Sequence, residues 1–280
     1  MSNSDITNKV STLIEPSKGW ISLDLKELWR YRELIGFLAW RDITAQYKQA
    51  FFGIAWALVK PISQALIYTL VFGKVAKLTS SGMPYMLFTF CGIMAWGFFS
   101  ASLSSSTASI VGNRNLITKI YFPRLIIPFS ALGRGSVDFL ISCAVFAIMM
   151  VVYGVFPGWK ILAFPFFLAL GLAITLGMGL IFSAISVKYR DLAYALPFMV
   201  QLWFWVTPVA YGLENIPEKL SWIFYLNPMT WIILGFRWSL LGAGEMHWQK
   251  ILITALFSFA VLLFGLFYFK RMEDEFADVI

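Results

Sequence analysis

Six long apolar runs, at about residues 51–72, 86–105, 128–153, 162–187, 192–211 and 251–269, constrain this chain more than anything else in it. A helix needs about 20 apolar residues to cross the hydrocarbon of a bilayer, and each run is about that long. The expected fold is an all-α membrane protein with six transmembrane helices. Composition points the same way: 59% of residues are hydrophobic, 18% aromatic and 13% charged, whereas a soluble domain carries about 25% charge. The formal net charge of +7 does not imply nucleic acid, because the basic residues are spread over short loops, the pattern of the positive-inside rule.

Details within the runs set further expectations. Gly53 lets the chain turn into the first span, and Lys60-Pro61 interrupts that span, with a carbonyl freed by the proline and Lys60 snorkelling toward the nearer surface. The second span ends in the serine-rich stretch 100–109, suited to close packing or to a polar path. The third carries Arg134 and Asp138, four apart on one face and able to neutralise each other. Gly171, Gly177 and Gly179 in the fourth allow close helix packing. Pro197 and Pro208 bracket the fifth, and Lys270 with Arg271 stops the sixth.

Several chemistries have no support. Cys91 and Cys143 lie in apolar runs and read as small buried hydrophobes. His247 is the one histidine, and a zinc site needs about four ligands, so no metal site is expected. Gly73-Lys74 is followed by Val75 and lacks the upstream glycine of a phosphate loop, so ATP is not bound by that route. The first fifty residues hold no long apolar run, and no N-terminal signal peptide is expected.

Between the runs lie four distinctive segments. Residues 1–21 read as a loose cytosolic arm. Over 22–50, Leu25, Leu28, Trp29, Ile35 and Leu38 recur at helical spacing among charged residues, as in an amphipathic helix lying in the membrane interface. Residues 113–122 form a short basic rod whose Leu116, Ile117, Ile120 and Tyr121 share one helical face, ended near Phe122 by Pro123. Such a rod can serve another protein as a handle, or be an ordinary basic loop. Residues 188–191 make a second charged turn on the same side. The helices expected at 216–226 and 229–241 are too short to span, rich in Trp, Tyr and Phe, and joined at Asn227-Pro228. They suggest a re-entrant outer hairpin, which is tolerated only against protein or a wet cavity; a surface helix pair is the plainer reading. With both termini in the cytosol, including the tail 270–280, inside segments hold fourteen of the 22 Lys and Arg residues and outside loops six.

One set of residues carries a family resemblance. It comprises Arg41-Asp42-Ile43, Tyr47-Lys48-Gln49, Gly53, Trp56 and Pro61, then Asn115-Leu116-Ile117, Tyr121-Phe122-Pro123-Arg124 and Tyr189-Arg190-Asp191. Thr207-Pro208-Val209 with Tyr211 and Asn227-Pro228-Met229 complete it. In this order, around six spans, the chain resembles the membrane subunit of an ABC-2-type polysaccharide exporter of the kind that moves lipid-linked O-antigen. Teichoic-acid and capsule exporters are close relatives. The resemblance runs from about residue 28 to 271.

The resemblance implies a pore formed by two copies of the chain in the cytoplasmic (inner) membrane, with two separate ATPase subunits that bind ATP and Mg on the cytosolic side. Asn115, Leu116, Ile117, Lys119, Ile120 and Tyr121, with Tyr189, Arg190 and Asp191, are then the coupling residues, and 216–241 is an outer gate. Aromatic rings offer sugars an apolar face with a polar tip, so Tyr85, Trp96, Phe98, Phe99, Trp203, Phe204, Trp205, Tyr211, Trp222, Tyr225 and Trp231 are candidates to line the path. Aromatic belts at the two interfaces explain the same residues. Arg41, Lys48 and Lys60 are candidates for a lipid head group. Competing readings are an ABC-2 permease for teichoic acid, capsule or a small hydrophobic compound, an ion-coupled transporter using Asp138, and a multi-pass glycosyl or acyl transferase. The last needs a general base or paired carboxylates that the sequence does not offer.

Overall fold

The computed structural model describes residues 25–48, 53, 55–273 and 276. The arm expected at 1–21, the first residues of the expected interfacial helix and most of the tail lie outside the described residues. Among those described there is no strand. A short helix α1 (Leu25–Arg30) leads into α2 (Arg32–Lys48). Then come α3 (Ala55–Tyr68), continued by a π-wound segment Thr69–Val75, and α4 (Tyr85–Gly112). The short α5 (Arg114–Ile117) precedes α6 (Ile126–Tyr153), α7 (Phe164–Lys188) and α8 (Leu192–Trp205). The chain closes with α9 (Glu218–Leu226), α10 (Pro228–Leu241) and α11 (Trp248–Met272).

Among the described residues, five helical stretches are long and apolar enough to cross a membrane: Ala55–Val75, α4, α6, Trp159–Lys188 and α11. The fifth run behaves differently from the expected span 192–211. Its helix α8 stops at Trp205 after 14 residues, about 21 Å of rise, and the chain turns at Val206–Thr207 ahead of Pro208, which has no N–H to continue a helix. In the first run, Lys60-Pro61 does not interrupt α3, which passes through Pro61. The irregular winding falls later, at Thr69–Val75. Gly53 does supply the expected turn, at φ 49°.

The long helices surround α4. Within its most apolar stretch 78% of the residues are buried, against 6% for the first span, so α4 is the axis of the bundle and the first span presents its apolar side outward. Glycine notches set the packing. A Cβ on Gly135 in α6 would meet the Ser102 hydroxyl of α4, and one on Gly179 in α7 would meet Ser106. Gly177 and Gly265 likewise bring α7 and α11 together backbone to backbone. The serine-rich stretch thus divides by face: Ser102 and Ser106 are buried in the bundle, while Ser105 and Ser109 line a cleft.

Two apolar clusters form the core. The larger is built on Phe90, Phe98, Phe99, Phe139, Phe167 and Phe236. The smaller lies at the opposite end, where Leu38 of α2, Ile110 of α4, Ile117, Phe122, Val187 of α7, Phe269 of α11 and Phe276 meet. Glu273 ties this end together: its carboxylate accepts from the Arg124 backbone N–H at 3.0 Å and pairs with Lys270 at 2.6 Å, and its carbonyl accepts from the Arg124 guanidinium. On α2, Leu28, Leu34 and Ile35 pack toward this cluster, whereas Trp29, Phe37 and Trp40 are exposed. Trp29 therefore departs from the face expected for it, and α1–α2 carries apolar side chains both toward the protein and away from it.

Candidate functional site

One end of the bundle, expected from the charge bias to face inward, is built where α4, α5 and α7 stop. Asn113 follows α4, donates to the Ser109 carbonyl at 2.8 Å and accepts from Arg41 at 2.7 Å. Arg41 also pairs with Asp42 at 2.7 Å, so α2 is pinned to the end of α4. The segment 113–122 is not the continuous rod the spacing predicts. Helix α5 ends at Ile117, and tight turns carry the chain to Pro123, which keeps Phe122 out of the helical region. The apolar side chains consequently split. Ile117 (8% exposed) and Phe122 are buried in the inner cluster and Leu116 packs against it, while Ile120 (57%) and Tyr121 (74%) face out beside exposed Asn115 and Lys119. Tyr189, Arg190 and Asp191 are exposed after α7. Ile117 and Val187 share one cluster, so the two segments lie at one end of the molecule.

From this end a chain of clefts runs along α3, α4 and α6. The first, about 490 Å³, is lined by Arg41, Gln46, Ser105, Asn113 and Arg134, among others. A second of about 300 Å³ shares Gln46 and Arg134 with it and adds Tyr47, Lys60 and Asp138. A third of about 200 Å³ shares Lys60 and Asp138 with the second and reaches Gln64 and Gly97. The last, about 210 Å³, shares Gln64 and Gly97 and ends at Trp96, Ser100 and Gln201. Arg41 and Lys60 thus fall on the cleft, Lys48 is exposed and is not among its lining residues, and Arg134 joins the cations named as candidates for a lipid head group.

Arg134 and Asp138 do not neutralise each other directly. Helix α2 places side chains between them: the Arg134 Nε donates to the Gln46 amide oxygen, while Asp138 accepts from the Tyr47 hydroxyl and from Gln46 at 3.4 Å. Burial, and next the carboxylate it donates to, push the Tyr47 phenol well above its usual range. This contact fastens the end of α2 to the middle of α6.

The opposite end has its own construction. Helices α9 and α10 lie close to the expected 216–226 and 229–241. Asn227 caps α10 by accepting from Met229 N at 3.0 Å, accepts from the Trp203 indole at 3.0 Å and donates to Val206 O at 3.0 Å. Residues 206–211 are irregular, so their carbonyls need donors. Arg237 supplies them. Its guanidinium is 1% exposed, donates to the carbonyls of Pro208 (2.8 Å), Val209 (2.6 Å), Tyr211 (3.2 Å) and Phe88 (3.3 Å), and stacks on the Phe88 ring at 3.6 Å. The charge count, in which Arg237 is one of the six outside-loop cations, missed this role. An arginine inside an aromatic, apolar helix is itself the signal.

The aromatic candidates separate by burial. Trp96, Phe98, Phe99, Phe204 and Trp231 are buried within the single chain; Tyr85, Trp203 and Tyr211 are half-buried; Trp205, Trp222 and Tyr225 are exposed. Of the buried five, Trp96 and Phe204 border the last cleft and Phe98 borders its neighbour. Cys91 is buried and Cys143 half-buried, both as free thiols.

Residues 33–241 match the family model of the ABC-2 type transporter. The chain is 29% identical over 258 residues to the O-antigen export system permease protein RfbA of Myxococcus xanthus, covering 91% of this chain and 98% of the relative. It is 31% identical over 249 residues to the protein of the same name in Klebsiella pneumoniae, covering 89% and 95%. The polysialic acid transport protein KpsM of Escherichia coli is 22% identical over 239 residues, covering 84% and 91%.

Proposed function

The chain belongs to the ABC-2 type transporter family, and from that premise we propose that it is the permease of an exporter that moves lipid-linked polysaccharide of the O-antigen type across the cytoplasmic membrane. The chain is a transport subunit and not an enzyme, and ABC-2 permeases of polysaccharide exporters act with ATPase subunits. The observation that carries the cargo is the end-to-end similarity, at about 30% identity, to O-antigen export permeases. Capsule export is the second reading, favoured by the weaker match to KpsM.

In this reading two copies of the chain form the pore and each engages one ATPase subunit, where ATP and Mg are bound. The exposed Asn115, Lys119, Ile120 and Tyr121, with Tyr189–Asp191, receive the ATPase, while buried Ile117 and Leu116 anchor the receiving loop to the bundle. The chain crosses the membrane six times with both termini inside, α8 making the fifth crossing together with the stitched segment 206–211, and α9–α10 dipping into the outer leaflet as a gate. The cationic groups of the first clefts, Arg41, Arg134 and Lys60, suit an anionic lipid head group entering from the inner side. Trp205, Trp222 and Tyr225 offer apolar ring faces to the glycan.

The test is reconstitution of the chain with its ATPase in vesicles loaded with lipid-linked polysaccharide. ATP-dependent appearance of polymer on the far side is the expected result. Movement of cargo by the chain without the ATPase would sink the reading.

A further inference from the structure

The far end of the cleft holds a feature the aromatic path does not account for. Gln64 of α3 and Gln201 of α8 line one cleft of about 210 Å³ with Ser100 and Gly97 of α4 and Trp96. At 1.5 Å per residue, Gln64 and Gln201 each lie about 14 Å from the inner ends of their helices and Ser100 about 18 Å from that of α4, which is mid-depth in a hydrocarbon layer of about 30 Å. Amides at that depth are costly beside lipid. The lipid-side residues of the first span are apolar: Leu66 and Ile67 of α3 and Leu70 and Val71 of the π-wound segment are exposed. Lys60 and Gln64, four apart, form a separate polar stripe, and both line the neighbouring cleft.

We propose that Gln64, Gln201 and Ser100 form a mid-membrane subsite for a single sugar ring of the polymer in transit, reached from the inner end through the clefts of Lys60–Asp138 and Arg41–Arg134. The proposal rests on the exporter reading above and names a hydrogen-bonding position within it. A primary amide both donates and accepts, which matches sugar hydroxyls of either orientation. Gln64 uses one N–H on the Tyr68 hydroxyl at 3.0 Å, which fixes its side chain and leaves the amide oxygen and a second N–H for a ligand. Gly97 keeps the floor low: a Cβ there meets nothing within 4 Å, so the space over α4 is open. The volume is below the ~300–1,000 Å³ of drug-sized sites, which suits one ring passing through and not a stored repeat unit. The edge of Trp96 closes one wall, held by T-shaped contacts to Trp203 at 6.2 Å and Phe204 at 5.7 Å.

The experiment uses the full chain assembled with its ATPase in vesicles, carrying Cys143→Ser. Gly97→Cys is exposed to a charged, membrane-impermeant thiol reagent from the inner side, with Leu66→Cys as the lipid-facing control. Labelling at 97 and none at 66, with lipid-linked polysaccharide suppressing the labelling at 97, is expected. Gln64→Leu and Gln201→Leu are each expected to slow export about two- to tenfold, the worth of a single net hydrogen bond, with ATPase assembly unchanged. Gly97→Trp is expected to abolish export. In a protein that exports, an unreactive Cys at 97 overturns the proposal, as does an unchanged rate in the Gln64→Leu/Gln201→Leu pair. Protection at 97 by polyprenyl phosphate without sugar, and not by the glycan, overturns the sugar as occupant. Failure of the unsubstituted assembly to export polymer removes the exporter reading itself, and the subsite with it.

Discussion

Arg237 shows how one buried side chain holds an irregular stretch of backbone together. The four carbonyls it serves lie on two elements, the segment 206–211 and α4. Arg237→Leu orphans them, at about 1–3 kcal/mol for each acceptor left dry, and is expected to lower the melting temperature of the purified protein sharply. Arg237→Lys keeps the charge but not the planar fork and is expected to fall between the two. Gly92 guards the same contact: a Cβ there would lie 2.3 Å from Val209 O and 2.9 Å from the Arg237 Nη2, so Gly92→Ala is expected to destabilise the protein although it adds one methyl. Tyr47 gives a prediction in pH. Its phenol is pushed up by burial and by Asp138, so its bond to Asp138 contributes fully below the ordinary phenol range, about pH 10, and is lost as pH rises through the folded value. Tyr47→Phe is expected to remove that alkaline limb from the stability profile and to cost about 1 kcal/mol at neutral pH.

At the scale of elements, segment 113–122 separates anchoring from contact. Ile120→Asp with Tyr121→Asp changes two exposed positions and is expected to leave melting behaviour within about 0.5 kcal/mol, while abolishing ATPase stimulation in the reconstituted complex. Ile117→Asp buries a carboxylate in the inner cluster and is expected to prevent folding, readable as loss of a monodisperse peak on size exclusion. The apolar spacing of 116, 117, 120 and 121 could not distinguish these roles, because spacing assumes a helix and this helix ends after one turn. Where runs were long the sequence was a good guide: α4, α6, α7 and α11 sit on their apolar stretches, and Gly177 and Gly179 make the close contacts their positions suggest. The helix pair α9 and α10 was legible from Asn227-Pro228 and its aromatic flanks. The early end of α8 was not, since hydropathy continues through 211 while the backbone turns at 206. Nor was the separation of Arg134 from Asp138, which depends on where another helix, α2, comes to rest.

The whole molecule divides into a tightly notched block and a looser margin. Helices α4, α6, α7 and α11 meet through glycine notches, with α10 seated on them, whereas the first span and α8 present long exposed apolar faces. Hydrogen exchange in detergent is therefore expected to be slowest in α4 and α7 and fastest in α3 and α8, with equal protection in all four as the contrary result. Helix α4 also touches both functional ends of this block. Its inner end is pinned to α2 through Asn113 and Arg41, and its outer end surrenders the Phe88 carbonyl to Arg237. In the exporter reading proposed above, a rod with a partner at each tip obeys thermodynamic reciprocity: whatever free energy nucleotide-driven docking at one end exerts on the α9–α10 pair at the other, binding at that pair must return to the docking equilibrium by the same factor. An antibody fragment that grips α9 from outside is thus expected to change the affinity of the ATPase on the far side of the membrane, and the size of that change measures how stiff α4 is as a connecting rod.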